Sequence, residues 1–161
     1  MVECNQRIYY LDHLTNLTSL NASGNSRICQ DAITGLARLT SLYVSNNPTI
    51  TDLNHLTNLK FLVARGNCHI NQSGIAKLTQ LTTLDVANNK KITNVHHLTN
   101  LKQLSIFGKS GVDQASVIML TQLTSLIVGG NLGITNISHI INLKCLDASG
   151  NSAVNQNQIY F

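Results

Sequence analysis

The segment Leu17-Thr-Ser-Leu20-Asn-Ala22-Ser-Gly-Asn25-Ser-Arg-Ile28 decides the fold, because it returns in frame as Leu39-Thr-Ser-Leu42-Tyr-Val44-Ser-Asn-Asn47-Pro-Thr-Ile50. The frame restarts at Leu59, Leu81, Leu101, Leu123 and Leu143. Asparagine closes it at Asn5, Asn25, Asn47, Asn67, Asn89, Asn131 and Asn151, with Lys109 as the one substitution. Steps between the leading leucines alternate between 22 and 20 residues, so the full unit is a pair spanning 42, and no insertion disturbs it. A short fixed period over nearly a whole chain marks a stacked repeat. Side chains alternate faces along a strand, so Leu20 and Ala22 point inward while Ser19, Asn21 and Ser23 point out. Seven such segments, with the fragment Val2–Asn5, predict seven or eight short parallel strands about 4.8 Å apart. The connections are too short for the crossover helix of an ordinary parallel sheet, so the chain must coil, each turn burying its aliphatics on its neighbours.

These residues spell LxxLxLxxN and resemble the leucine-rich-repeat motif from about Val2 to Ile159. The short repeats and the phrase Leu56-Thr-Asn-Leu59 resemble the internalin-like bacterial subclass, although the isoleucine follows the asparagine by three residues rather than two. The resemblance implies an α/β-type solenoid: strands on the concave face, and short helical, 3-10 or irregular returns on the convex face. Residues 1–161 then form one domain with partial repeats at both ends. It further implies a non-catalytic protein–protein interaction module. A host-directed binding factor of a bacterium or large virus is a further alternative. In the family the asparagine amide satisfies backbone groups where the chain leaves the strand, and buried backbone groups require partners.

The longer returns, such as Asp113–Leu120 and Ser73–Leu78, begin with N-capping residues and predict a helical or 3-10 turn. The shorter ones, such as Thr51–Leu56, are expected to be irregular. Several columns repeat every 42 residues. His13, His55, His97 and His139 would stand two turns, or about 10 Å, from one another. Zinc ligands lie about 2 Å from the metal, so no pair shares one, and a structural hydrogen-bonding role is expected. Gln30, Gln72, Gln114 and Gln156 read the same way, as do Asn16, Asn58, Asn100 and Asn142. Lys109 cannot accept a hydrogen bond and reads as drift beside Gly108 and Gly111. Gly108-Lys109-Ser110 is no phosphate loop, since Gln103 stands where its first glycine belongs.

Composition excludes several classes. With 43% hydrophobic residues, 4% aromatic and 11% charged, an aliphatic core lies under a weakly charged polar surface. No apolar stretch is long enough to span a membrane, and Met1-Val-Glu-Cys-Asn5 resembles no signal peptide. The net charge of +4 includes no basic run beyond Lys90-Lys91, so nucleic acid is not the expected partner. Cys4, Cys29, Cys68 and Cys145 are too widely spaced to read as a disulfide framework, which favours a reducing, intracellular compartment. Sequons at Asn16, Asn21, Asn71 and Asn136 are expected by chance in so Asn/Ser/Thr-rich a chain. No catalytic, cofactor or metal motif is present, so neither an enzyme nor a cofactor is expected.

Function is then sought where the outward face breaks the repeat. Tyr43, Phe61, Val63, Phe107 and Ile127 stand at positions the core does not need, with Arg65 and Asp85 beside them. Aromatic residues and arginine are common binding anchors, so these seven form the expected protein-binding strip. Lys60, Lys102 and Lys144 precede alternate strands and read as a solvated rim. The pattern opens at Val2 and closes at Tyr160-Phe161 with no recognisable cap. Either Gln158–Phe161 folds over the last turn, or the ends stack on another copy in an assembly protein.

Overall fold

The computed structural model describes residues 11, 13–24, 27–151 and 154. The fragment Val2–Asn5, Asn25, Gln156 and the closing Gln158–Phe161 lie outside them. Seven strands form one parallel sheet in chain order: β1 (Ser19–Asn21), β2 (Ser41–Tyr43), β3 (Phe61–Val63), β4 (Thr83–Asp85), β5 (Gln103–Ser105), β6 (Ser125–Ile127) and β7 (Cys145–Asp147). The central leucines Leu20, Leu42, Leu62, Leu84, Leu104, Leu126 and Leu146 pair in register along it. A one-residue slip would turn this row outward, so burial fixes the register.

Beneath the sheet, further columns close the coil. Val44, Ala64, Val86, Ile106 and Val128 form one, and Ile50, Ile70, Ile92, Val112 and Ile134 another; all are buried. Each return repeats an apolar residue every third position. Leu53, Leu56 and Leu59 are joined by backbone bonds of 2.9 and 3.0 Å, and Ile75, Leu78 and Leu81 by bonds of 3.1 Å each. The shorter returns are thus successive tight turns rather than irregular coil. Each buried Leu, Ile or Val contributes about 1.5–3 kcal/mol, which makes this spine the main source of stability.

The two additional residues of the longer turns go into a helical return: α1 (Gln30–Ile33), a 3-10 turn at Ser73–Ile75, and α2 (Gln114–Ile118). Asp113 caps α2, its Oδ1 accepting from Ser116 N at 2.9 Å; these bonds hold the carboxyl below its usual range. Ser73 is not itself a cap. The role falls to Asn71, whose Oδ1 accepts from Gly74 N at 3.1 Å and from Ser73 Oγ at 2.7 Å.

The periodic polar columns join turn to turn. Gln72 donates from Nε2 to Asn94 O at 2.8 Å and accepts at Oε1 from Thr93 N and Asn94 N, at 3.1 and 2.8 Å. Gln30 and Gln114 repeat the clamp on Thr51-Asp52 and Thr135-Asn136. His55, His97 and His139 each donate from Nε2 to a carbonyl of the preceding turn, Ile33, Ile75 and Val117, at 3.0 to 3.3 Å. Asn58, Asn100 and Asn142 donate likewise to Ala37 O, Thr79 O and Thr121 O.

The asparagine column needs a correction. Asn47, Asn89, Asn131 and Asn151 are buried, but Asn67 is exposed. In that longer turn the buried polar place passes one residue on, to Cys68, whose Sγ lies 3.2 Å from Ala64 O. Lys109 is the counterpart of exposed Asn67 and breaks no ladder. The backbone N–H groups of both residues find the same partner type, Asn46 Oδ1 for Asn67 and Asn88 Oδ1 for Lys109, at 3.0 Å each. Lys109 is therefore accommodated by geometry and not by local relaxation of the turn.

Asn46 and Gly66 occupy left-handed conformations, with φ of 56° and 65°. A Cβ at Gly66 would overlap Asn46 Oδ1, whereas one at Gly24 would meet nothing within 4 Å. Gly24→Ala then carries only the left-handed penalty of about 1–2 kcal/mol. Gly66→Ala adds the displaced Asn46 hydrogen bond and should unfold at lower urea than Gly24→Ala, by about 1 kcal/mol more. Equal midpoints would show that Asn46 moves without cost.

Cys29 is disulfide-bonded, contrary to the expectation drawn from cysteine spacing. Spacing misleads in a coil, because residues about one turn apart in sequence are stacked neighbours. The argument for a reducing compartment loses its ground accordingly. Cys68 and Cys145 are free thiols; burial pushes the Cys68 thiol upward.

Candidate interaction surface

The outward side chains of β2 to β6 enclose an open hollow of about 600 Å³ on the concave face of the sheet. Tyr43, Phe61, Val63, Arg65, Asp85 and Ile127 all line it. The hollow exists because the strands between these large residues carry small ones. Thr83, Ser105 and Ser125 leave the sheet low, while Tyr43 and Phe61 on one side and Ile127 on the other stand above it. Tyr43 and Phe61 belong to adjacent strands, their ring centroids 5.2 Å apart and their planes inclined at 49°. That tilted contact fixes both rings and is worth about 0.5–1.5 kcal/mol beyond burial. Tyr43 remains 37% exposed.

Asp85 departs from the expected exposed strip: it is 8% exposed and tied down rather than presented. Its Oδ2 accepts from Arg65 Nε at 2.8 Å and from Nη2, and its Oδ1 accepts from Ala87 N at 3.1 Å. Register explains this, since Val63 pairs with Asp85 and brings Arg65 across the strand end. The bond to Asp85 pushes the Arg65 guanidinium above its usual value, yet the Arg65 side chain stays 59% exposed. A largely solvated pair stabilises the fold little; its consequence is a positioned guanidinium.

Phe107 stands apart from the other six. It is 41% exposed and does not line the hollow. Its Cε2 lies 2.9 Å from where a Cβ on Gly129 would stand, so the ring leans over the glycine of the next turn. Sequence reasoning, which knew only that Phe107 faces outward, had no signal for that lean. The same reading puts Thr83, Gln103 and Ser125 on the outward face but outside the strip, and these three line the hollow.

Elsewhere the described residues offer little chemistry. No group of three His, Cys, Asp or Glu is placed to hold a metal ion, and no helix is long and apolar enough to cross a membrane, among the described residues.

Sheet, coil and hollow together define the class, a leucine-rich-repeat solenoid. The chain is similar to solved internalins of Listeria monocytogenes. With internalin InlF it shares 28% identity at a TM-score of 0.66, over 88% of this chain and 44% of that one. With internalin C2 it shares 28% identity at a TM-score of 0.59, over 86% and 75% of the two chains. TLR13, in the TLR13–ssRNA13 complex, has the same fold at 24% identity and a TM-score of 0.66, over 88% of this chain and 23% of that one. The chain thus spans less than half of InlF. No protein-family model and no curated protein matches it. Its parallel-strand solenoid is consistent with an internalin-like leucine-rich-repeat protein.

Proposed function

We propose that the chain is a non-catalytic protein-interaction module that takes a partner's side chains into the concave hollow. The observation that carries this reading is the Tyr43–Phe61 ring pair at the hollow's wall, Tyr43 exposed and Phe61 half-buried, with Arg65 beside it. The core does not require either ring, and aromatic residues with arginine dominate binding energy at protein interfaces. The likeness to internalins supports an interaction role, and it is also the sole support for a host-directed one. Assembly through the solenoid ends concerns residues outside those described.

Phe61→Ser should lower partner recovery by about 30-fold or more, the effect of losing a hot-spot residue worth about 2 kcal/mol. Phe107→Ser, away from the hollow, should change it by less than about 3-fold. Both variants should remain folded in buffer, with Phe61→Ser giving up the ring contact worth about 0.5–1.5 kcal/mol. An unbiased pull-down comparing the three, quantified by mass spectrometry, reads this directly. If Phe61→Ser recovers the same partners at the same yield, the hollow is not the site.

A further inference from the structure

From the distribution of charge around the hollow, we infer that its partner is an acidic protein segment bearing an aromatic or branched aliphatic anchor. This rests on the reading that the hollow binds protein. Past the ends of β3, β4 and β5 the chain carries Arg65, His69, Lys90, Lys91 and Lys109 on three consecutive turns; Arg65 lines the hollow, and Lys91 Nζ donates to Cys68 O at 3.3 Å. No described acid lies among them. Asp31, Asp52 and Asp113 belong to the returns; Asp85 is occupied by Arg65; Asp147 projects from β7, beyond the residues that line the hollow. Lys60 and Lys102 add exposed cations where the lining strands β3 and β5 begin.

The hollow therefore presents apolar walls between two cationic borders. A guanidinium has five N–H donors. Asp85 engages two of those on Arg65, and the other three have no partner among the described residues. A carboxylate beside an apolar anchor satisfies both features at once, whereas a basic partner would be repelled by both borders. Single-stranded nucleic acid also carries negative charge, but its binders offer successive stacking platforms, base after base. Here the aromatics form one tilted pair, and the neighbouring strands present Thr83, Gln103 and Ser125 instead.

The test uses random heptapeptides displayed on phage, selected on the whole protein and counter-selected on Phe61→Ser. Recovered sequences should join Phe, Tyr, Leu or Ile to at least two Asp or Glu. Their synthetic versions should bind about 5-fold or more weakly to Lys90→Ala/Lys109→Ala, and weaken similarly from 50 to 300 mM NaCl. Neither lysine has a side-chain bond to lose, so folding is left intact. Peptides that depend on Phe61 but are neutral or basic, or that ignore salt and both lysines, overturn the acidic partner while leaving the hollow as a binding site. A selection yielding no Phe61-dependent peptide overturns both readings. Tighter Phe61-dependent binding of a 20-nucleotide oligouridylate than of any recovered peptide also overturns the inference, in favour of nucleic acid.

Discussion

Asn89→Ala should lower stability by about 4 kcal/mol, while Asn67→Ala and Lys109→Ala, at the same motif position, should change it by less than about 0.5. The Asn89 amide is wholly buried and serves the turn before its own. Its Nδ2 donates to Ala64 O at 3.0 Å and to Ile70 O at 3.4 Å, and lies 3.3 Å from Cys68 Sγ, while Oδ1 accepts from Lys91 N at 2.8 Å. Alanine leaves several buried polar groups without partners, each costing about 1–3 kcal/mol. Water cannot enter to replace the amide, because Ala64, Cys68 and Ile70 are themselves buried. Asn67 and Lys109 project into solvent, so truncation exposes nothing. Urea denaturation followed by circular dichroism, with all three variants fitted alike, gives the comparison. Three equal midpoints would mean that the alternation between buried and exposed positions has no energetic content.

Gly74→Ala is the second large effect, about 3 kcal/mol, and its cause is crowding between turns. A Cβ at Gly74 would overlap the carbonyl oxygen of Thr51 and lie 3.2 Å from its carbonyl carbon. Both atoms are backbone of the turn before, so no rotamer change relieves the contact. The return must lift, which also stretches the 2.9 Å bond from Leu53 N to Gly74 O. Overpacking of this kind typically costs about 1–3 kcal/mol, and the strained hydrogen bond adds to it. The backbone at Gly74 is not left-handed, so conformational preference is not the reason. A melting temperature lowered by roughly 6–12 °C is expected. An unchanged melting temperature would show that adjacent returns separate freely.

Much of this was open to reading in the sequence, for a definite reason. A period of alternating 22 and 20 residues forces Leu42, Leu62 and Leu84 onto one line, and all three pair as the frame requires. The seven outward residues were found by the same alternation, since a strand has only two faces. What the alternation does not carry is the third dimension. Whether an outward carboxylate is presented or tied down depends on a residue about 20 positions earlier; Arg65 reaching Asp85 is such a case. Whether Phe107 joins the hollow depends on the missing side chain at Gly129. The misplaced ladder had a visible signal. Cys68 and Ser110, 42 residues apart, each stand one residue beyond the motif position held by Asn67 and Lys109.

The buried amides of Asn47 and Asn89 both reach back to the longer turn that precedes them, at Ala22 and Ala64. In the other direction Gln30, Gln72 and Gln114 of the longer turns clamp the backbone of the shorter turn that follows each, so neither kind completes itself. A gene encoding such a chain can lengthen or shorten without damage only by duplicating or losing segments of both kinds together. Loss of a single turn would bring two of a kind face to face and remove a glutamine clamp or the backbone it holds. Selection on this lineage would then count its array in twos, and the reach of its binding face would evolve in steps of about 10 Å.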